Sequence, residues 1–201
     1  IPNNATLSIA GDIDVENTKE MIEAYFGEIP SGIPVVQPTV VEPPLGGEKT
    51  ATIYDNIQLP AVMMGYRMPP QTSEDAYALQ MASTVLSGGP SSRIYRRLVD
   101  EDQSALSVFA FPFSLEQGGA LMTFSLANAG KTINDMVPAL EEEIENLQNE
   151  LISEREFQKI QNQMESRFVQ SNSTMAGIAE SLADYHTYYG DANLINTELE
   201  R

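Results

Sequence analysis

The sequence predicts an α+β fold, a largely antiparallel sheet with helices packed on one face. Three observations lead there. Strand-like and helical runs are partly segregated, in the order β-α, linker, β-β-α-α-β-β-α-α-α. Two strand-like runs, 104–113 and 120–127, join around Gln117-Gly118-Gly119 and read as a hairpin. After them, apolar residues recur every three to four positions, which is helical periodicity.

Residues 5–10 alternate weakly and end at Gly11-Asp12, a strand followed by a turn. The carboxylate of Asp14 can accept the free N–H groups of a helix start. Met21, Ile22, Tyr25 and Phe26 share one face of that helix, and Gly27 suits its C′ position. Five prolines (Pro30, Pro34, Pro38, Pro43 and Pro44) and Gly46-Gly47 then make an extended linker. Runs 49–54 and 61–67 are expected as strands, the second ended by Pro69-Pro70. Thr72 or Ser73 caps the next helix, with Glu74 and Asp75 in its first turn and Leu79, Ala82, Val85 and Leu86 on its buried face. Ser87-Gly88-Gly89-Pro90 breaks it, and a second helix runs from Ser91 or Ser92 to about Asp100. The hairpin follows, with Phe109, Phe111 and Phe113 in its first strand. Ile133, Val137, Leu140, Ile144, Leu147 and Leu151 then form one helical stripe. Ser153-x-x-Glu156 is a capping-box pattern that opens a helix bearing Phe157, Ile160, Met164 and Phe168. A last helix runs from about Thr174 to Tyr189 and stops at Gly190.

The composition of the 201 residues is restrictive. With no cysteine, disulfide scaffolds, zinc ribbons and thiol chemistry are excluded. With His186 as the only histidine, a zinc site of several histidines is impossible. Eleven bases against 29 acids give a charge of −18, which opposes nucleic acid and anionic lipid. No run of 18 apolar residues exists, so no membrane span is expected. The 42% apolar content supports a core. Lack of cysteine fits the cytoplasm or an exported compartment, so cytoplasm and periplasm both stay open. The start at Ile1-Pro2-Asn3-Asn4 reads as a start in mid-fold.

Four constellations invite chemistry. Ser87-Gly88-Gly89-Pro90 could cradle a phosphate before a helix, but no Lys-Ser/Thr pair follows, and a helix–helix corner is the simpler reading. Arg93, Arg96 and Arg97 could bind a carboxylate; as a charged helix face they would pair Arg96–Asp100 and Arg97–Glu101 at i,i+4. Glu141 to Glu145 lack the glycine and spaced oxygen ligands of a calcium loop. His186, among Tyr185, Tyr188 and Tyr189, has no second ligand at a telling spacing. From the residues alone, this is an acidic α+β domain without a self-contained active site.

A more specific signal lies at Gly88-Gly89-Pro90-Ser91-Ser92-Arg93-Ile94-Tyr95-Arg96-Arg97-Leu98-Val99-Asp100-Glu101. This segment resembles the Gly-Gly-x-Ser-Ser-Arg-Leu-Tyr/Phe region of the insulinase/pitrilysin metallopeptidases, which include the mitochondrial processing peptidases. Pro2-Asn3-Asn4-Ala5-Thr6-Leu7 with Gly11-Asp12, Tyr25-Phe26-Gly27-Glu28-Ile29-Pro30, and Tyr66-Arg67-Met68-Pro69 resemble further family segments, in the family's order. A bacterial source is expected.

The resemblance implies a domain layout: 1–30 as the tail strand and helix of a preceding zinc-bearing domain, 31–47 as linker, and 48–201 as the second, non-catalytic domain, truncated at its C-terminus. The family's zinc motif, His-x-x-Glu-His, is absent, so zinc is expected in the missing first domain and no cofactor in this chain. The family also carries an arginine and a tyrosine seven residues apart that contact substrate. Val99 and Leu106 occupy those positions, and neither can hydrogen-bond a substrate carbonyl. No catalytic, metal-binding or substrate-binding residue is therefore assigned. The implied role is to help enclose peptides in a zinc endopeptidase, next to its zinc-bearing domain and a second peptidase half. The alternatives are a scaffold subunit that has lost catalysis, or an acidic module that binds basic peptides. Residues 5–10 are further expected to pair along the sheet edge left vacant by truncation, in the chain or in a neighbour.

Overall fold

The strand-forming runs that find partners are those of the hairpin and the run before it. A computed structural model describes residues 1–39 and 41–200. Val40, within the linker, and Arg201 lie outside the described residues. The chain divides into two compact units, Glu42–Gln161 and Ile1–Val41 with Asn162–Arg201.

The first unit is built on a three-stranded antiparallel sheet of order β1-β3-β2, with β1 Ala61–Met68, β2 Ala105–Leu115 and β3 Gly118–Ala127. The register sets Met64 against Thr123 and Thr123 against Ala110, so alternate residues share one face across all three strands. Helices α2 (Glu74–Ser87), α3 (Arg93–Tyr95, continued as a π-helix over Arg96–Glu101) and α4 (Val137–Asn149) supply the other side of the core. Leu86, Ile94, Leu98, Met136 and Leu140 are the largest apolar side chains buried there. They pack with Met68, Val108 and Leu121 from the sheet. The opposite face of the sheet carries the exposed side chains of Met63, Phe109, Phe111 and Phe113. Fold class and one-sided helix packing are therefore as the sequence predicts.

Helix α5 spans Glu154–Ser171, and the division between the units falls within it. In the other unit, α1 (Val15–Phe26) starts at Asp14, whose carboxylate accepts from the Asn17 N–H at 2.8 Å. None of its residues is buried. Leu7, Ile9, Met21, Ile22, Tyr25 and Phe26 line an open apolar groove of about 500 Å³. Helix α6 (Met175–Asp184) begins at Thr174, whose Oγ1 accepts from the Gly177 N–H, and continues as a π-helix over Tyr185–Tyr189. Gly190 ends it in the left-handed region, φ 78°, where glycine carries no Cβ penalty.

Several expectations need correction. Residues 5–10 form no strand, and they are absent from the sheet, so the proposed edge pairing does not occur within the chain. Six residues without a partner strand have no ladder to hold them extended. A hydrogen bond from Thr187 Oγ1 to Thr6 Oγ1 (3.0 Å) is one contact that fixes this segment instead. Residues 49–54 also form no strand: Ile53 and Tyr54 are 88% and 92% exposed, so their apolar alternation buries nothing. Leu151 lies two residues beyond α4 and is 98% exposed, outside the stripe it was assigned to. Gly27 ends α1 in a right-handed conformation, φ −63°, not in a left-handed C′ position.

Candidate functional site

The segment from Ser87 to Val108 gathers the sequence candidates and most of the irregular backbone. Gly88 closes α2, its N–H donating to Thr84 O at 2.7 Å. Gly89 turns the chain at φ +119°, which a side chain would strain. Ser92 is buried, and both its N–H (2.9 Å) and its hydroxyl (2.5 Å) donate to Gly89 O. The corner thus spends its polar groups on its own turn, as a helix–helix corner does.

All three arginines beyond it are paired, but not as i,i+4 spacing predicts. Arg96 meets Glu101 at 3.3 Å and Arg97 meets Asp102 at 2.9 Å, both at i,i+5. The reason is the π-helical turn over Arg96–Glu101: its wider repeat brings residues five apart onto one face. Arg97 also approaches Glu142 at 3.7 Å. Asp102 and Glu142 keep its guanidinium more strongly protonated than usual.

Arg93 makes the bidentate long-range clasp of the group. Its Nε and Nη2 donate to Oε1 and Oε2 of Glu156 at 3.1 and 3.2 Å, a bidentate pair across 63 residues of sequence. Glu156 is also the acid of the predicted capping box. It accepts from the Ser153 N–H and hydroxyl, both 3.1 Å, while its own N–H donates to Ser153 Oγ at 3.3 Å. The Arg93 bond, with Ser153 assisting, holds the Glu156 carboxyl down at about 2. Lys159 Nζ, one turn on, donates to Ser91 Oγ at 2.8 Å. The corner is therefore fastened to the first turns of α5. Both halves of this clasp were visible as motifs; their union was not, because sequence separation hides it.

Val99 lies in the π-helix and packs partly buried against the core. Leu106 is 56% exposed, at a bulge between Ala105 and Ser107 in β2. Between them Gln103 adopts φ 49°, in the left-handed region, with its carbonyl accepting from Asn128 Nδ2 at 3.2 Å. π-turn, left-handed residue and bulge follow one another within 96–107, a run of backbone irregularity that sequence periodicity does not announce. Such features concentrate at functional segments.

The remaining candidates carry no chemistry of their own. Glu141, Glu142 and Glu145 are exposed on the outer side of α4. His186 is exposed in the π-helix after α6. Among the described residues no group of three or more His, Cys, Asp or Glu could hold a metal ion. Zinc takes nitrogen and sulfur ligands by preference, and one histidine without cysteine does not provide them. The chain's residues therefore do not fit a zinc ion, and no zinc step is assigned to them. Among the described residues no helix is long and apolar enough to cross a membrane.

Comparison with known proteins agrees with this geometry. The family profile described as peptidase M16 inactive domain matches residues 1–164. A zinc protease of Helicobacter pylori, PqqE, is 27% identical over 193 residues, covering 92% of this chain and 42% of the relative. The chain thus spans less than half the length of that curated relative. The crystal structure of a protease from Helicobacter pylori superposes with a TM-score of 0.86 at 22% identity, covering 95% of this chain and 46% of the other. A chain of complex III2 from Candida albicans shares the fold at 16% identity, TM-score 0.76, covering 94% of this chain and 46% of that one. The chain, with a one-sided α+β sheet and no metal-binding group among its described residues, belongs to the peptidase M16 inactive-domain family.

Proposed function

We propose that this chain is a structural wall of a zinc endopeptidase, helping to enclose the peptide and to meet the partner half of the enzyme. The observation that carries the reading is the one-sided sheet. Helices bury one face, and the other is left open and largely apolar, with Arg67 as its one ionisable strand residue. A sheet face that serves only stability would be covered or polar.

In this reading residues 1–30 are the tail of a zinc-bearing domain, 31–47 the linker, and 48–201 most of the second domain. Zinc and its activated water belong to the preceding domain of the parent. Val99 and Leu106 stand where a substrate-contacting arginine and tyrosine would be, so this half offers no polar substrate contact there. Its partners are the zinc-bearing domain, a second peptidase half, and the peptide. The test is direct. The purified chain, incubated with quenched fluorescent peptides and added zinc, is expected to show no cleavage. Chelator-sensitive cleavage by the chain alone would overturn the proposal.

A further inference from the structure

The open sheet face has a chemistry of its own. In one row across the strands, Met63, Phe124 and Phe109 stand side by side; in the next, Gly65, Met122 and Phe111; Phe113 follows opposite Ala120. The rings of Phe109 and Phe124 stack with centroids 6.3 Å apart. Met63, Phe109 and Phe113 are each more than half exposed. Strand propensity explains aromatic residues in β2, but threonine or valine would meet that need without presenting wide rings to water. A contiguous exposed apolar patch on a folded unit marks a binding surface.

Charge says what the surface takes. In a chain of −18, β2 and β3 contain no ionisable acid or base between Ala105 and Leu115 or between Gly118 and Ala127. Arg67 is the one basic residue on this face of β1. Its guanidinium is occupied by Glu42 at 3.1 Å and by the Pro43 carbonyl at 2.6 Å. The patch is neutral, so it complements an uncharged apolar contact and gives nothing to the basic side chains that the acidic remainder of the chain attracts.

Backbone chemistry says how the occupant lies. The edge of β2 is a poor template for an added strand: Pro112 has no N–H, and the Val108 carbonyl already accepts from Ser87 Oγ at 3.3 Å. At the β2 side of the sheet, where the phenylalanines lie, recognition therefore runs through side chains across the face. Leu106, at the bulge between Ala105 and Ser107, is a further exposed apolar residue near the start of β2.

We infer that the open face, centred on Phe109, Phe111 and Phe113, binds an extended peptide segment through large apolar side chains that are uncharged where they touch it. The inference rests on the chamber-wall reading and names the substrate class of that wall. The experiment is fluorescence anisotropy with the whole 201-residue chain. A labelled ten-residue peptide alternating phenylalanine with serine is compared with one in which glutamine replaces each phenylalanine. The first is expected to bind at least about tenfold more tightly. Phe109→Thr/Phe111→Thr should abolish the preference, with Met63→Thr on β1, across β3 from them, as a second variant should the first not fold. Raising salt should leave binding intact, since the contact is not ionic. Equal affinity for the two peptides, indifference to both variants, or binding lost in salt would overturn the inference. So would a dimer in sedimentation that the same variants dissolve, because a second copy would then be the occupant. The two readings fail separately. Absent peptide binding with intact support of cleavage by the zinc-bearing half removes the inference alone. Selective binding without any effect on that cleavage removes the chamber-wall reading alone.

Discussion

On the covered face of the sheet, Met68, Val108 and Leu121 are no more than 7% exposed; one residue along β2 from Val108, Phe109 is 54% exposed, and Phe113 reaches 56%. The same strands thus place aliphatic and small residues inward and their widest apolar residues outward. This reverses what volume alone suggests, since phenylalanine is among the residues most often buried. The inward residues suit a thin layer closed by α2, α3 and α4. The outward ones are surplus to that core and call for another explanation. Because the side-chain period is two, a slip of one residue would exchange the two sets, so the register is strongly specified.

The comparison breaks first on the covered side. Leu98→Ala removes a side chain that is 0% exposed and should cost about 2–5 kcal/mol in urea unfolding, from lost burial and the cavity left behind. A cost under about 1 kcal/mol would mean that the core does not depend on this layer. Next is the clasp. Glu156→Ala removes the partner of Arg93 and the carboxylate half of the capping box, while the Glu156 N–H to Ser153 Oγ bond survives; the expected loss is about 1 kcal/mol given the pair's partial exposure. The carboxyl stands at about 2 when folded against 4.5 when free. Its contribution is therefore complete above roughly pH 4.5 and fades as pH falls toward 2. Glu156→Gln should flatten the stability profile over that window, and a profile as steep as the parent's would show that the clasp is not what titrates.

Two smaller effects sharpen the contrast. Thr123 Oγ1 and Ser125 Oγ lie buried on the covered face with no hydrogen-bond partner. Thr123→Val should therefore be neutral or stabilising by up to about 1 kcal/mol, since it removes an unmet polar atom at nearly constant shape. A thermal melt reads this, and a loss above that size would reveal a partner for the hydroxyl. On the open face, Phe111→Thr should shift unfolding by about 0.5 kcal/mol or less, although the ring is larger than anything Leu98→Ala removes. A core-sized loss there would place Phe111 in the stabilising layer after all.

Much of this was legible in the sequence, and what failed did so for physical reasons. The alternation of Met122, Phe124 and Leu126 against Thr123 and Ser125 identified β3, and the glycines located the hairpin, because both signals are local. Residues 49–54 carry the same local signal but form no strand; pairing is a tertiary fact. The run Arg96-Arg97-Leu98-Val99-Asp100-Glu101-Asp102 offers acids at both i+4 and i+5, so the sequence could not choose between α and π spacing. The Arg93–Glu156 clasp was beyond reach for the same reason as any contact 63 residues apart. The absence of His-x-x-Glu-His, by contrast, is a property of the sequence itself, which has one histidine.

The most direct test of a working but non-catalytic wall is reconstitution. The zinc-bearing half of the parent protein, at fixed concentration, is titrated with this chain while cleavage of a peptide rich in phenylalanine and leucine is followed. The account predicts no cleavage by the chain alone, a saturable rise in rate as it is added, and loss of that rise with Phe109→Thr/Phe111→Thr. A zinc-bearing half whose rate is indifferent to the chain would contradict it.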